Sequence, residues 1–492
     1  MRILLVSSEA VPFAKTGGLA DVATGLAKAL ASDGHEVVLA LPCYRRHIPE
    51  EGRGEKIGQV EVQMRMKRVR ADILETTLPD TSLRVWLVDQ SNYFDRASLY
   101  VEGGFDYADN SERFLFFSRA VLHAARNLYF LPHIIHANDW QTGAIPAIVK
   151  EKLRDTEDFR GVGTVFTIHN MAFHGAFPPW DLELTGLPQK LFNWRQMEFY
   201  GQLNLLKTGI SFADMVTTVS PTYAREICRP EFGCGLDAVL AECGERLVGI
   251  LNGVDMDAWN PELDPLIPQK YSSDRLQPGK AACKATLQSE LGLNVSPKSL
   301  LFGMVTRLTD QKGLDLISAR IENLLEADTQ FAFLGTGDEG YEKLLRELEQ
   351  RYPGRISATI GFNEKLAHRI EAGSDAYLMP SRFEPCGLNQ QYSLLYGTIP
   401  IVHATGGLAD SVTEATPENL ANGTGNGFAF QRYDADAFLN ACWRAVGMYQ
   451  FRQDDWQRMQ QIGMTRDWSW NRSGRDYMAV YEQALTRVKS TT

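Results

Sequence analysis

Short, continuous apolar runs rich in β-branched residues recur along this chain, and helix-length amphipathic segments separate them. The first half carries Ile3–Val6, Val37–Leu41, Val85–Val88, Ile134–His136, Val165–Ile168, Val216–Val219 and Val248–Leu251. The second half carries Leu300–Val305, Phe331–Leu334, Ile356–Ile360, Ala376–Met379 and Pro400–Val402. A strand with one wet face alternates apolar and polar residues. A run that is apolar throughout needs cover on both faces, which a parallel sheet receives from its crossover helices. The pattern therefore predicts α/β architecture. At 492 residues the chain suits two large, doubly wound, Rossmann-like domains. Prolines 261, 265, 268, 278 and 297 crowd the stretch 253–300. Proline at that density resists helix and strand and predicts either a hinge or interdomain crossing there or one long surface loop.

Charge narrows the partners. The net charge is −11, which repels phosphate backbones and anionic lipid, so nucleic acid and membrane surfaces are disfavoured. A small anionic ligand then needs local cations. The seven cysteines are irregularly spaced and form no CxxC pair, which predicts neither a disulfide framework nor a zinc site. No apolar run approaches membrane-span length, and the first residues do not read as a cleavable leader, so the expected location is cytoplasmic.

Ligands of open α/β sheets bind past the carboxyl ends of the strands. In this chain the residues just past the runs are polar and aromatic: Asn138-Asp139-Trp140, His169-Asn170, Ser220-Pro221, Asn252-Gly253, Arg307, and Ser381-Arg382-Phe383-Glu384. Each alone would serve as a cap or turn. Their shared position predicts a ligand site. Arg307 and Lys312 lie in one turn ending at Gly313, where a planar fork and a point charge together can clamp a diphosphate. Glu384, beside a turn shaped by Pro385 and Gly387, can oppose positive charge developing on a sugar ring, or simply start a helix.

One hexapeptide occurs twice. Thr16-Gly17-Gly18-Leu19-Ala20-Asp21 returns as Thr405-Gly406-Gly407-Leu408-Ala409-Asp410, each copy after a strand and before a helix. Paired glycines there expose backbone N–H groups and predict an anion site in each half, with Lys15 adding a positive charge to the first. A competing pattern, Gly335-Thr336-Gly337-Asp338-Glu339-Gly340, has the spacing of a dinucleotide fingerprint. The next strand ends in Gly361-Phe362-Asn363 without the acidic residue that would hold a ribose, which disfavours a nicotinamide dehydrogenase.

The segments Lys15–Val22, His136–Trp140, Thr167–Asn170, Val219–Ala224, Asn252–Asp255, Ser381–Leu388 and Thr405–Asp410 together resemble the signature of the ADP-glucose-dependent glycogen and starch synthases. They run in family order along nearly the whole chain. The resemblance implies a GT-B fold, two Rossmann-like domains facing across a cleft. The first would span residues 1–252 and the second residues 253–466, with a terminal helix over about 467–492 crossing back to the first. It implies retaining transfer of glucose from ADP-glucose to the non-reducing end of an α-1,4-glucan, without a metal or other cofactor. Glu384, His169, Arg307 and Lys312 would take the catalytic positions. Lys15, Gly17, Gly18, Asp21, Asn252, Phe362, Cys386, Gly387 and Leu388 would lie against the donor, and Asp139, Trp140 and Asn170 toward the acceptor.

Two departures stand out. Asn389 occupies a position where many members have Thr or Ser, which predicts an altered phosphate or hydroxyl contact. Tyr392 stands where wider retaining glycosyltransferases carry a second glutamate, so one carboxylate has to suffice. A phosphorylase of this fold would be much longer and would carry a pyridoxal-binding lysine motif. A silent glucan-binding protein would have no need of Arg307, Lys312 and Glu384 together.

Overall fold

The computed structural model describes residues 1–491, and residue 492, the end of the expected terminal helix, lies outside the described residues. The chain divides into two compact units, Met1–Gly253 with the segment from Trp470 onward, and Val254–Ser469.

The first unit is built on strands β1 (Arg2–Val6), β2 (Glu36–Pro42), β3 (Glu55–Met64), β4 (Lys67–Thr77), β5 (Arg84–Asp89), β6 (Ile134–Asn138), β7 (Gly163–Ile168), β8 (Met215–Thr218) and β9 (Leu247–Gly249). They form one sheet in the order β9-β8-β7-β6-β1-β2-β5-β4-β3. All neighbours pair in parallel except at the far edge, where β5–β4 and β4–β3 run antiparallel. The β3–β4 hairpin is absent from the sequence expectation because it is not a continuous apolar run. Val60, Val62 and Met64 alternate with polar residues, so one face packs and the other meets water, as an edge hairpin requires.

The terminal helix Trp470–Thr491 belongs to this unit. Tyr477, Tyr481 and Ala484 are buried with Ile3, Leu5, Leu26, Leu39 and Val85 in a single core. Tyr481 Oη meets His136 Nδ1 at 2.8 Å, and Ser473 Oγ donates to the Leu251 carbonyl at 2.6 Å. Gly25, inside the helix Gly18–Ser32, is glycine for a packing reason: a Cβ there would lie 2.0 Å from Trp470 Nε1.

The second unit carries β10 (Leu300–Val305), β11 (Thr329–Gly335), β12 (Ile356–Ile360), β13 (Ala376–Met379), β14 (Ile399–His403) and β15 (Phe428–Phe430), all parallel, in the order β12-β11-β10-β13-β14-β15. Alternate residues of one strand enter different cores. Leu300, Phe302 and Met304 join one, while Leu301 joins the other. Both faces are therefore covered, which is why these strands read as unbroken apolar runs. The proline-rich stretch is not free of regular structure, contrary to the sequence expectation. Leu276–Glu290 is helical, with Pro278 in its first turn, where the missing N–H has no intrahelical partner to lose.

Candidate functional site

In the first unit, polar side chains gather past the carboxyl ends of β1, β6 and β7. Asp139 follows β6 directly and has φ +54°, a left-handed conformation that Asp tolerates better than most residues. This turn brings Asp139 Oδ1 to the His169 backbone N–H at 2.7 Å. Burial pushes the Asp139 carboxyl up to about 7, with the Glu9 charge adding to it and the N–H groups of His169 and Asn170 opposing it. Burial pushes the His169 imidazole down to about 3, so it is neutral at physiological pH. Its tautomer follows from Asn138. That amide donates from Nδ2 to the Val6 carbonyl at 3.1 Å, so its Oδ1 faces His169 Nε2 at 2.9 Å as an acceptor. The His169 proton therefore sits on Nε2, and Nδ1 is the acceptor nitrogen.

Glu9, which the sequence expectation passed over, organises the first glycine turn. Its carboxylate accepts from the Thr16 N–H at 2.5 Å, the Thr16 hydroxyl at 2.6 Å, the Gly17 N–H at 3.3 Å and Tyr100 Oη at 2.7 Å. Part of the expected anion-binding backbone is thus already bonded to a side chain of the chain itself. Lys15 pairs with Asp21 at 2.8 Å and keeps 54% of its side chain exposed. Gly17 and Gly18 face open space, for a Cβ on either would meet nothing within 4 Å. Neither has a positive φ, so neither packing nor backbone geometry within the unit demands glycine at these two positions.

The second copy of the repeat behaves differently. A Cβ on Gly406, at φ +46°, would lie 1.9 Å from the Glu384 carbonyl, and one on Gly407 would lie 2.1 Å from the Cys386 carbonyl. The Gly407 N–H is shared between the Glu384 and Pro385 carbonyls, each at 3.1 Å. These glycines let the turn press against the 384–386 loop and so hold that loop in place.

On that loop Glu384 is buried, and its Oε2 accepts from Lys312 Nζ at 2.6 Å and Ser381 Oγ at 3.0 Å. Gln311 Nε2 donates to the Phe383 carbonyl at 3.1 Å, and His403 Nδ1 lies 2.8 Å from the Ser381 carbonyl. Arg307 is exposed, and its guanidinium makes no hydrogen bond or ion pair among the described residues. The two expected clamp cations thus differ: Lys312 is tied to the carboxylate and Arg307 is unengaged.

The remaining expected residues are spread over both units. Gly387, at φ +68°, shapes the turn after buried Cys386, and half-buried Leu388 precedes the helix Asn389–Leu395. Phe362 is 89% exposed just past β12. Asn252 is buried with an Oδ1 that has no hydrogen-bond partner. Asn170 Oδ1 accepts from the Ala172 N–H at 2.9 Å. Trp140 is buried rather than presented as a free platform, its ring against Phe114 at 5.2 Å and Phe177 at 5.5 Å. Asn389 donates to the Val305 carbonyl at 3.1 Å and Tyr377 Oη at 2.6 Å, a link to the end of β10. Tyr392 stacks on Trp259 at 3.8 Å, so an aromatic contact fills the position of the second glutamate. The Gly335–Gly340 pattern is also explained internally. Cβ atoms on Gly335 and Gly337 would strike the Thr306 and Leu308 carbonyls at 2.0 and 2.4 Å, and Glu342 and Asp338 bond the Gly337 and Gly340 N–H groups. Among the described residues, no group of three or more His, Cys, Asp or Glu side chains is placed to hold a metal ion. No described helix is long and apolar enough to cross a membrane.

Residues 2–242 match the family model for the starch synthase catalytic domain, and residues 291–453 match that for glycosyl transferases group 1. The catalytic domain of starch synthase IV from Arabidopsis thaliana, solved bound to ADP and acarbose, superposes with a TM-score of 0.89 at 33% identity, covering 98% of this chain and 99% of that one. The two doubly wound units are therefore a GT-B fold, and the class is a glycosyltransferase. The glycogen synthase of Anaeromyxobacter dehalogenans strain 2CP-C is 46% identical over 482 residues, covering 98% of this chain and 99% of that protein. The glycogen synthase of Thermotoga maritima is 42% identical over 496 residues. At this identity and coverage, the chain belongs to the glycogen synthase family.

Proposed function

We propose that the chain transfers glucose from ADP-glucose to the non-reducing end of an α-1,4-glucan, with retention at the anomeric carbon and without a metal. The observation that carries this reading is the Lys312, Ser381 and Glu384 cluster past β10 and β13, a cation on a buried carboxylate, with the exposed Arg307 in the segment that leads from β10 to Lys312. The neighbour bound to ADP and acarbose supports the nucleotide and glucan classes.

Breaking the bond between the sugar and the diphosphate builds negative charge on the leaving oxygen and positive charge on the ring. Arg307 and Lys312 oppose the first, the part Mg²⁺ plays in many phosphoryl-leaving reactions. Lys312 Nζ has three donors, so it can keep Glu384 and still reach an oxyanion. Glu384 opposes the second charge. With a single carboxylate there, the acceptor hydroxyl attacks on the face that the diphosphate leaves, and a leaving-group oxygen takes its proton. Phe362 presents an exposed ring suited to stacking on a base. In the first unit, His169 Nδ1 is an acceptor for a sugar hydroxyl, and Gly17 and Gly18 leave room for a ligand.

Incubation with glycogen and either ADP-glucose or UDP-glucose, with and without EDTA, tests the reading. The expected result is a higher kcat/KM with ADP-glucose and undiminished release of ADP in EDTA. A preference for UDP-glucose would reassign the donor. Loss of activity in EDTA with rescue by Mg²⁺ would reject the metal-free account.

A further inference from the structure

A second cationic cluster lies in the first unit, away from the strand ends just described. The helix Asn110–Asn127 supplies Arg119, His123 and Arg126 to a cavity of about 160 Å³, and Lys152 faces them from the turn after Ile148. Leu122, Ile148 and Phe159 give the cavity an apolar floor. No acidic side chain lines it among the described residues.

The charges are close and incompletely balanced. Arg119 Nη2 and Lys152 Nζ both lie 3.3 Å from the place a Cβ would occupy on Gly186, so the two nitrogens are no more than twice that distance apart, within reach of one small anion. Arg119 uses Nη1 to donate to the Gln63 and Leu184 carbonyls at 2.6 and 2.8 Å, which holds the guanidinium in place while Nη2 makes no hydrogen bond among the described residues. Lys152 has no acidic partner among the described residues. Asp158, which does not line the cavity, pairs with Arg126 at 2.6 Å. Burial lowers the pKa of Lys152, and the Arg119 charge lowers it further; His123 is lowered by burial and then by Arg119 and Arg126. Like charges held this close repel unless an anion sits between them. In a chain of net charge −11 such a patch is not the general surface character.

We propose that this cavity binds a small phosphate monoester, its dianionic head between Arg119 Nη2 and Lys152 Nζ and its organic body on Leu122 and Phe159. A phosphate dianion offers separate oxygens to Arg119 Nη2 and Lys152 Nζ and sets two negative charges against the two cations. The volume exceeds what a few waters need and leaves room for more than the phosphate alone. This site is separate from the residues assigned to glucosyl transfer and does not depend on that assignment.

Hydrogen-exchange mass spectrometry on the full-length protein tests it. The probes are inorganic phosphate, a hexose monophosphate and the free hexose, at constant ionic strength in chloride. Both phosphates are expected to protect segments 119–126 and 148–159, and the free hexose to leave them unchanged. Stronger protection by the hexose monophosphate marks a monoester site, and equal protection marks a site for free phosphate, which would overturn the monoester assignment. Lys152→Glu is expected to weaken the phosphate affinity about tenfold or more, the loss of one charge-assisted bond, with basal glucosyl transfer unchanged. Lys152→Gln should weaken it less. Absence of protection at tens of millimolar phosphate, or equal protection in wild type and Lys152→Glu, would overturn the proposal.

Discussion

Arg307 and Lys312 share one turn but differ in what their removal leaves behind. The Arg307 guanidinium bonds to nothing among the described residues, so Arg307→Ala should lose about 10²–10³-fold in transfer rate at an unchanged melting temperature. Lys312→Ala should lose a similar factor and also stability, because it leaves the buried Glu384 carboxylate with Ser381 Oγ alone as a side-chain donor among the described residues. Adding Glu384→Gln to Lys312→Ala should recover part of the melting temperature but none of the rate, readable by calorimetry and steady-state kinetics. Titration gives a second expectation at this scale. His136 and His169, each held at about 3, stay neutral in the fold but protonate in the unfolded chain below its value of 6.5. Their contribution to stability is therefore present above pH 6.5 and lost on acidification toward 3. Asp139, raised to about 7, works in the other direction: its contribution is present below its unfolded value of 3.8 and lost as pH rises through 7. Asp139→Asn removes the opposing effect. Between pH 4 and 6.5, the unfolding free energy of the variant should climb with pH more steeply than that of wild type, by about one proton. Parallel slopes in urea titrations would mean that Asp139 is not raised.

Among the elements, Gly25 reverses the usual rule. Alanine in a helix interior normally gains about 1 kcal/mol over glycine. Here a methyl would strike the indole of Trp470, so Gly25→Ala should destabilise by about 1–3 kcal/mol. The same change should be nearly neutral in a Trp470→Ala background, measured as urea midpoints. Element existence was legible wherever packing made the sequence monotonous, as in β10 to β14, whose two covered faces impose apolar runs. It failed at the β3–β4 hairpin, which is half wet and alternates, and at Leu276–Glu290, where Pro278 sits in the one turn that accepts it. The site was legible as residue types past strand ends, because topology places ligand groups there. Their partners were not. Lys312 and Glu384 were both named, yet nothing local to either pairs them. The duplicated hexapeptide shows the limit most plainly: identical letters are open at Gly17 and Gly18 but pressed against a carbonyl at Gly406 and Gly407, because the difference lies in the neighbouring loop.

At the scale of the whole chain, the first unit is discontinuous. Val254–Ser469 is inserted between its nine-stranded sheet and the helix that closes its core. Ending the chain at Ser469 removes Tyr477, Tyr481 and Ala484 from that core and takes the Tyr481 hydroxyl from His136. The second unit keeps its six-stranded sheet and both its cores. Calorimetry of such a truncation should therefore retain one cooperative transition for Val254–Ser469 and lose, or shift far downward, the transition of the first unit. A single unchanged transition would mean the terminal helix is dispensable.

That inserted order also dictates when the enzyme can exist during its own synthesis. A domain usually folds as it leaves the ribosome, N-terminal one first. Here the strands that precede Glu9, Asp139 and His169 emerge early, and their core stays open on one side until the second unit has been made. Only when the segment from Trp470 onward clears the exit does the first unit close. A message cut short, or a ribosome that releases early, thus yields a chain with a finished second unit and an unfinished first. Such a product would leave Ile3, Leu5, Leu39 and Val85 without the cover that Tyr477, Tyr481 and Ala484 give them.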